Sequence, residues 1–183
     1  MISKKLLPLA FIFLISYILM AQENGLVRKI GSQLHTANVQ GSTFMTTKGG
    51  RQYLYTVVRG RPAHLVGFDL EINRTVADLP IEGVDGAWTI TASSDGFIYV
   101  GSAQGNLFKH QPGTNTLENL GKFDGEKLIW DLVPGLNGEI YGGTWSAAKV
   151  FKYHPTEGFK DLANGSAVPG QQYAQFLAFN PKT

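Results

Sequence analysis

Trp88 and Trp130, Gly96 and Gly138, Tyr99 and Tyr141, and Gly101 and Gly143 are pairs of like residues, each 42 positions apart. Such a spacing marks an internal repeat, and a repeat constrains the fold strongly because each copy must bury its apolar face against its neighbour. One copy reads Ala87-Trp88-Thr89-Ile90-Thr91-Ala92, Asp95-Gly96, then Phe97-Ile98-Tyr99-Val100-Gly101. The next reads Ile129-Trp130-Asp131-Leu132-Val133, Asn137-Gly138, then Glu139-Ile140-Tyr141-Gly142-Gly143. The register continues through Leu107-Phe108-Lys109-His110-Gln111-Pro112 and, after one inserted residue, Val150-Phe151-Lys152-Tyr153-His154-Pro155. A divergent earlier copy covers 42–80, and a further copy opens at Tyr173, 43 residues after Trp130.

Each copy reads as four short strands. The first is a nearly continuous apolar run, expected to be buried on both faces. The second follows an Asp-Gly or Asn-Gly turn and alternates around its Tyr. A third ends ahead of Pro112 or Pro155, since proline cannot donate to a strand ladder, and a fourth is more polar. No stretch past the N-terminal segment has helical periodicity. The chain is therefore expected to be all-β, a β-propeller of four-stranded blades of about 42 residues. Blades are placed at 42–80, 87–121 and 129–163, with a partial blade from 173. A β-solenoid is the competing architecture, but its coils are shorter and need no hairpin turn in every repeat.

The pattern Asp95-Gly96-x-x-Tyr99-x-Gly101, Phe108-x-x-x-Pro112, Leu120-Gly121 resembles the bacterial propeller repeats grouped with streptogramin-lyase-like, lactonase-like and NHL-like proteins. The resemblance covers 42–183 and implies the propeller fold. Streptogramin lyases use a histidine and a bound metal, but no motif here matches theirs residue by residue, so neither is carried over. Three copies and one strand make an incomplete ring, because the smallest propellers have four blades. The expectation is a truncated reading frame in which residues 26–34 provide a ring-closing outer strand within the N-terminal segment 22–41. Open blade faces then favour self-association.

Lys4 and Lys5 followed by an apolar run over 6–20 and Ala21 read as a signal peptide, 1–21, which predicts a secreted or periplasmic protein. Membrane attachment would come only through an uncleaved signal segment. The two lysines account for the formal net charge of +2, so no basic stripe is left for nucleic acid. The absence of cysteine means that a packed core, not disulfides, must stabilise an exported fold.

Candidate chemistry is sparse. The histidines, His35, His64, His110 and His154, show no metal-ligand spacing, and His110 and His154 are expected as surface residues near strand ends. No metal or cofactor is called for, and no catalytic residue is assigned. Trp88, Trp130 and Tyr173 occupy one position in successive copies, at the start of the innermost strand. They pack between blades, or they form platforms for a planar-faced ligand such as a sugar, with Trp145, Arg59 and Arg61 nearby to orient an anionic substituent. Asp131 stands where the preceding copy has Thr89, and is either a hydrogen-bonded strand-end residue or a carboxylate facing the central channel. The functional expectation is an exported, non-catalytic scaffold that binds an extracellular glycan or protein. The alternative is the N-terminal portion of a propeller lyase, hydrolase or lactonase acting on carbohydrate or a small cyclic substrate; fold alone does not separate them.

Overall fold

The computed structural model describes residues 38–182. The expected signal peptide, the 26–34 strand and His35 lie outside the described residues. Among the described residues, twelve strands form three four-stranded antiparallel sheets. The first holds β1 (Val39–Thr46), β2 (Gln52–Val58), β3 (Ala63–Asp69) and β4 (Arg74–Ile81). The second holds β5 (Ala87–Ala92), β6 (Ile98–Ser102), β7 (Asn106–His110) and β8 (Leu117–Lys122). The third holds β9 (Leu128–Pro134), β10 (Ile140–Trp145), β11 (Val150–His154) and β12 (Gly158–Asp161). Each sheet is a meander whose strands pair in chain order, as in a propeller blade. β1 packs against β5 and β5 against β9, so the first strands of the blades lie side by side. The result is an incomplete propeller.

Local chemistry explains the repeat. Gly96 and Gly138 adopt φ of 90° and 82° in the turns before β6 and β10, a region that costs other residues a Cβ clash. Ser93 closes the first of these turns by accepting from Gly96 N and donating to Phe97 O, and its hydroxyl also meets Asp95. Glu139 closes the second, its Oε2 accepting from Asn137 N at 2.8 Å.

Apolar side chains from facing sheets form two clusters. Tyr55, Val57, Leu65, Ile90, Ile98, Val100 and Phe108 lie in the one between the first and second blades. Tyr99, Leu107, Phe123, Ile129, Ile140, Phe151 and Tyr153 lie in the one between the second and third. Flanked on both sides, β6 is buried along its whole length, where the sequence pattern around Tyr99 reads as alternating. Burying a side chain of this size contributes roughly 1.5–3 kcal/mol.

Close approach explains the glycines at 101 and 143. A Cβ on Gly101 would stand 2.6 Å from Ile129 Cγ2, where the third blade's first strand crosses β6. A Cβ on Gly143 would collide with the backbone of Ala174. After β12 the chain therefore returns to the end of β10. Ala174 N donates to Thr144 O at 3.0 Å, Tyr173 bridges to Trp145, and the Phe179 ring stacks on Tyr141 at 5.7 Å.

One expectation is corrected. His110 is not a surface residue: it is 0% exposed. Its place at the end of β7 is the one Tyr153 holds at the end of β11, since Ile98 pairs with His110 and Ile140 with Tyr153. Both rings fill a slot beneath a tyrosine of the preceding blade, Tyr55 for His110 and Tyr99 for Tyr153. His64 and His154 stay partly exposed, the first paired with Asp78 at 2.6 Å and the second with Thr156 at 2.8 Å.

Candidate functional site

The first strand of every blade carries a register shift at the same place. In β5 the pairing jumps from Ala87 with Ser102 to Thr89 with Gly101, leaving Trp88 unopposed. In β9 it jumps from Ile129 with Thr144 to Asp131 with Gly143, leaving Trp130 unopposed. In β1 it jumps from Val39 with Val58 to Gly41 with Val57, leaving Gln40. A bulge breaks the alternation of the strand and re-aims one side chain. The equivalent positions across the blades are thus Gln40, Trp88 and Trp130, while Tyr173 lies in the segment after β12 and bridges to Trp145.

These re-aimed rings meet. Trp88 stacks with Trp130, centroids 5.7 Å apart and planes 13° apart. Trp130 meets Tyr173 edge-on at 5.6 Å, and Tyr173 stacks with Trp145 at 6.1 Å. Aromatic pairs of this kind contribute about 0.5–1.5 kcal/mol beyond their buried area. Trp88 and Tyr173 nevertheless stay 40% and 48% exposed, so the row is a surface feature more than an inter-blade core. Inter-ring contacts and partial exposure thus coexist in the row.

The other anticipated residues take different places. Arg59 and Arg61 lie exposed in the β2–β3 turn, at the end of the blades where the bulges lie, but neither stands over a ring of the row. Arg61 instead lines a cleft of about 350 Å³ with Pro62, Glu82, Val84, Asp85 and Gln104. The cation over the row is Lys127, whose Nζ lies 5.6 Å from the Trp145 ring. Lys127 is exposed and forms no ion pair among the described residues. Asp131 is engaged by backbone: Oδ1 accepts from Leu132 N at 2.9 Å and Oδ2 from Leu177 N at 2.6 Å. It ties the third blade to the segment that carries Tyr173.

Sequence reasoning missed Lys127, Gln40 and Glu126. Gln40 Oε1 accepts from Ala87 N at 3.0 Å, next to Trp88, and its Nε2 has no partner; Trp145 Nε1 is likewise buried and unpartnered. Gln40 precedes Trp88 by 48 residues, not 42, so the repeat offset hides it. Glu126, 1% exposed, accepts from Ala147 N at 3.2 Å. Its counterpart 42 residues earlier is Val84, so no repeat signal marks a carboxylate there. Among the described residues, no three His, Asp or Glu side chains come together as a metal-binding group.

No family model and no curated protein sequence matches the chain. Solved structures do. Selenomethionine-substituted virginiamycin B lyase from Staphylococcus aureus superposes with a TM-score of 0.58 at 12% identity, over 73% of this chain and 42% of that one. What the two chains share is the β-propeller fold. A catalytically inactive variant of the same lyase with quinupristin gives 0.57 at 11% identity, over 79% of this chain and 46% of that one. A Bacteroides thetaiotaomicron protein of unknown function gives 0.50 at 11%, over 64% and 32%. The chain thus spans less than half the length of these propellers, and at such identities the likeness concerns the fold alone. No helix among the described residues is long and apolar enough to cross a membrane.

Proposed function

We propose that this propeller is a non-catalytic scaffold that binds an extracellular glycan over the row made by Trp88, Trp130, Tyr173 and Trp145. The observation that carries this reading is the row itself: bulges re-aim Trp88 and Trp130 toward one place, Tyr173 and Trp145 continue the row, and Trp88 and Tyr173 stay exposed at the surface. Aromatic faces stack on the C–H surfaces of sugars, and a pocket of aromatics with a few polar groups is the usual form of a small-ligand site. Lys127, exposed and without a carboxylate, supplies a charge-assisted partner for an acidic substituent. Arg59 and Arg61 add positive charge at the same end of the blades.

Calorimetric titration of the full chain with tetragalacturonate and with cellotetraose tests the reading. The acidic sugar should bind about tenfold more tightly, and Lys127→Met should remove that difference, a change of about 1.4 kcal/mol. Failure to bind either sugar would exclude a glycan of this class. Consumption of quinupristin by the purified chain would instead favour a lyase.

A further inference from the structure

A buried charge lies beside the aromatic row and takes no part in it. Glu126 sits in the connection between β8 and β9, directly before Lys127, and is 1% exposed. Its Oε2 accepts from Ala147 N at 3.2 Å, and the Lys149 ammonium lies 4.0 Å from its Oε1. Lys149 Nζ also donates to Asp124 O at 3.2 Å. A buried carboxylate loses its hydration, so its presence is costly unless its contacts accomplish something an apolar residue could not. Val84, the corresponding residue one blade earlier, fills the same kind of place without a charge.

The loop it grips is conformationally strained. Ala148 is 2% exposed and has φ of 49°, a region in which a Cβ is crowded. The conformation is held from several sides. Ala148 N donates to Gln172 O at 3.1 Å, Ala167 N donates to Ala148 O at 3.0 Å, and Lys149 N donates to Thr144 Oγ1 at 3.0 Å. Directly before this loop stands Trp145, whose backbone oxygen accepts from Lys127 N at 3.0 Å. Gln172, at its far side, directly precedes Tyr173. The loop is therefore the junction through which Trp145, Tyr173 and Lys127 are held in one arrangement.

We infer that Glu126 is a positioning residue: by holding Ala147 and Lys149 from within the blade boundary, it fixes the 146–149 loop and so sets Trp145 against Tyr173 and Lys127. It touches no ligand and acts through the loop. The inference rests on the aromatic row as the binding face, but the latch can be tested without any ligand.

Amide hydrogen exchange of the unmodified full chain is the first measurement. The Ala147 amide should exchange at least roughly 100-fold more slowly than an unstructured alanine. Exchange at the unstructured rate would overturn the latch, and this readout needs no variant to fold. In a Trp88→Phe, Trp130→Phe background, Trp145 is the remaining tryptophan, and its quenching by acrylamide reports the loop directly. Glu126→Leu should raise quenching about twofold, whereas Glu126→Gln, which keeps an oxygen for Ala147 N, should restore the original value. Tetragalacturonate affinity should follow, weakened about tenfold in Glu126→Leu and recovered in Glu126→Gln. Equal quenching in the two variants would overturn the inference. A protected Ala147 in a chain that binds no sugar would sink the glycan reading and leave the latch standing.

Discussion

The rings of Tyr55 and His110 lie 5.5 Å apart across the boundary between the first two blades. Tyr99 and Tyr153 repeat the contact at the next boundary, at 6.4 Å. An imidazole thus occupies a place that a phenol fills elsewhere in the same repeat, and it brings a titratable group into the core. His110 Nδ1 donates to Thr116 O at 2.8 Å, while Nε2 is buried and unpartnered. An unpartnered lone pair is tolerable on a neutral ring; an unpartnered N–H of an imidazolium costs considerably more.

That arrangement makes the fold acid-sensitive. Burial pushes the His110 pKa below its ordinary value, and the bond to Thr116 opposes the shift without reversing it. In the unfolded chain a histidine titrates near about 6.5, so below that pH the unfolded state binds the extra proton. Stability from neutral His110 is fully present above that pH and declines as the pH falls toward the lower folded-state value. Thermal melts between about pH 7.5 and 5.5 should show a falling midpoint in the natural chain and a shallower fall in His110→Phe. Parallel slopes would contradict the assignment.

A second acid-sensitive tie lies at the end of β3. Asp69 is buried; burial alone would raise its pKa, but the N–H groups of Ile72 and Glu71 and the Arg51 guanidinium, 2.6 Å away, together hold it below the usual carboxylate range. A carboxylate with a depressed folded-state pKa contributes above its unfolded value, near about 4, and that contribution disappears as the pH falls through the folded value. Asp69→Asn should lower the melting midpoint at neutral pH, because Arg51 loses its 2.6 Å ion pair and keeps only the longer one to Glu71 at 3.9 Å, and the variant and natural curves should converge in acid. A gap that persists at low pH would assign the effect to packing instead.

How much of this was legible beforehand depended on whether a feature recurs in every blade. The Trp88 and Trp130 pair and the Gly101 and Gly143 pair recur because each blade must turn, cross and pack alike, so the blade architecture and the shared strand position of Trp88 and Trp130 could be read directly. His110 was hidden because its distance from Pro112 resembled an exposed strand end, whereas its partner Tyr55 belongs to the blade before. Lys127 meets Trp145 through the β8–β9 connection, and connections carry no period. Arg59 and Arg61 were placed near the row by their end of the blade, but the turn that carries them opens onto the cleft of Glu82 and Asp85.

The stacked row makes a quantitative prediction about Trp130. It touches Trp88 on one side and Tyr173 on the other, yet is only partly buried. Trp130→Ala should therefore destabilise by about 1–3 kcal/mol, below the roughly 3–5 kcal/mol of a fully buried aromatic. Trp88→Ala, at one end of the row, should cost less. Urea titrations of both variants check the order, and a larger loss in Trp88→Ala would mean that the row is primarily inter-blade core.

Gly143 tests whether the segment carrying Tyr173 belongs to the binding face. A methyl group there meets the Ala174 backbone, which cannot rotate away as a side chain can, so Gly143→Ala should push the 172–180 segment off β10. Asp131 would lose Leu177 N, and Tyr141 would lose the stack with Phe179. The first and second blades, which share none of these contacts, should keep their packing. Amide exchange should accordingly rise in β10 and from Tyr173 to Phe179 but not in β5 and β6, while affinity for the acidic sugar drops about tenfold. Gly101→Ala is the comparison, because its methyl would press on Ile129 Cγ2 and Cβ and Thr89 Cγ2, stiff β-branched groups at the boundary of the second and third blades, at a cost of about 1–3 kcal/mol that leaves Tyr173 in place. If Gly143→Ala binds as tightly as Gly101→Ala, Tyr173 contributes nothing to the face, and the site reduces to Trp88, Trp130 and Trp145.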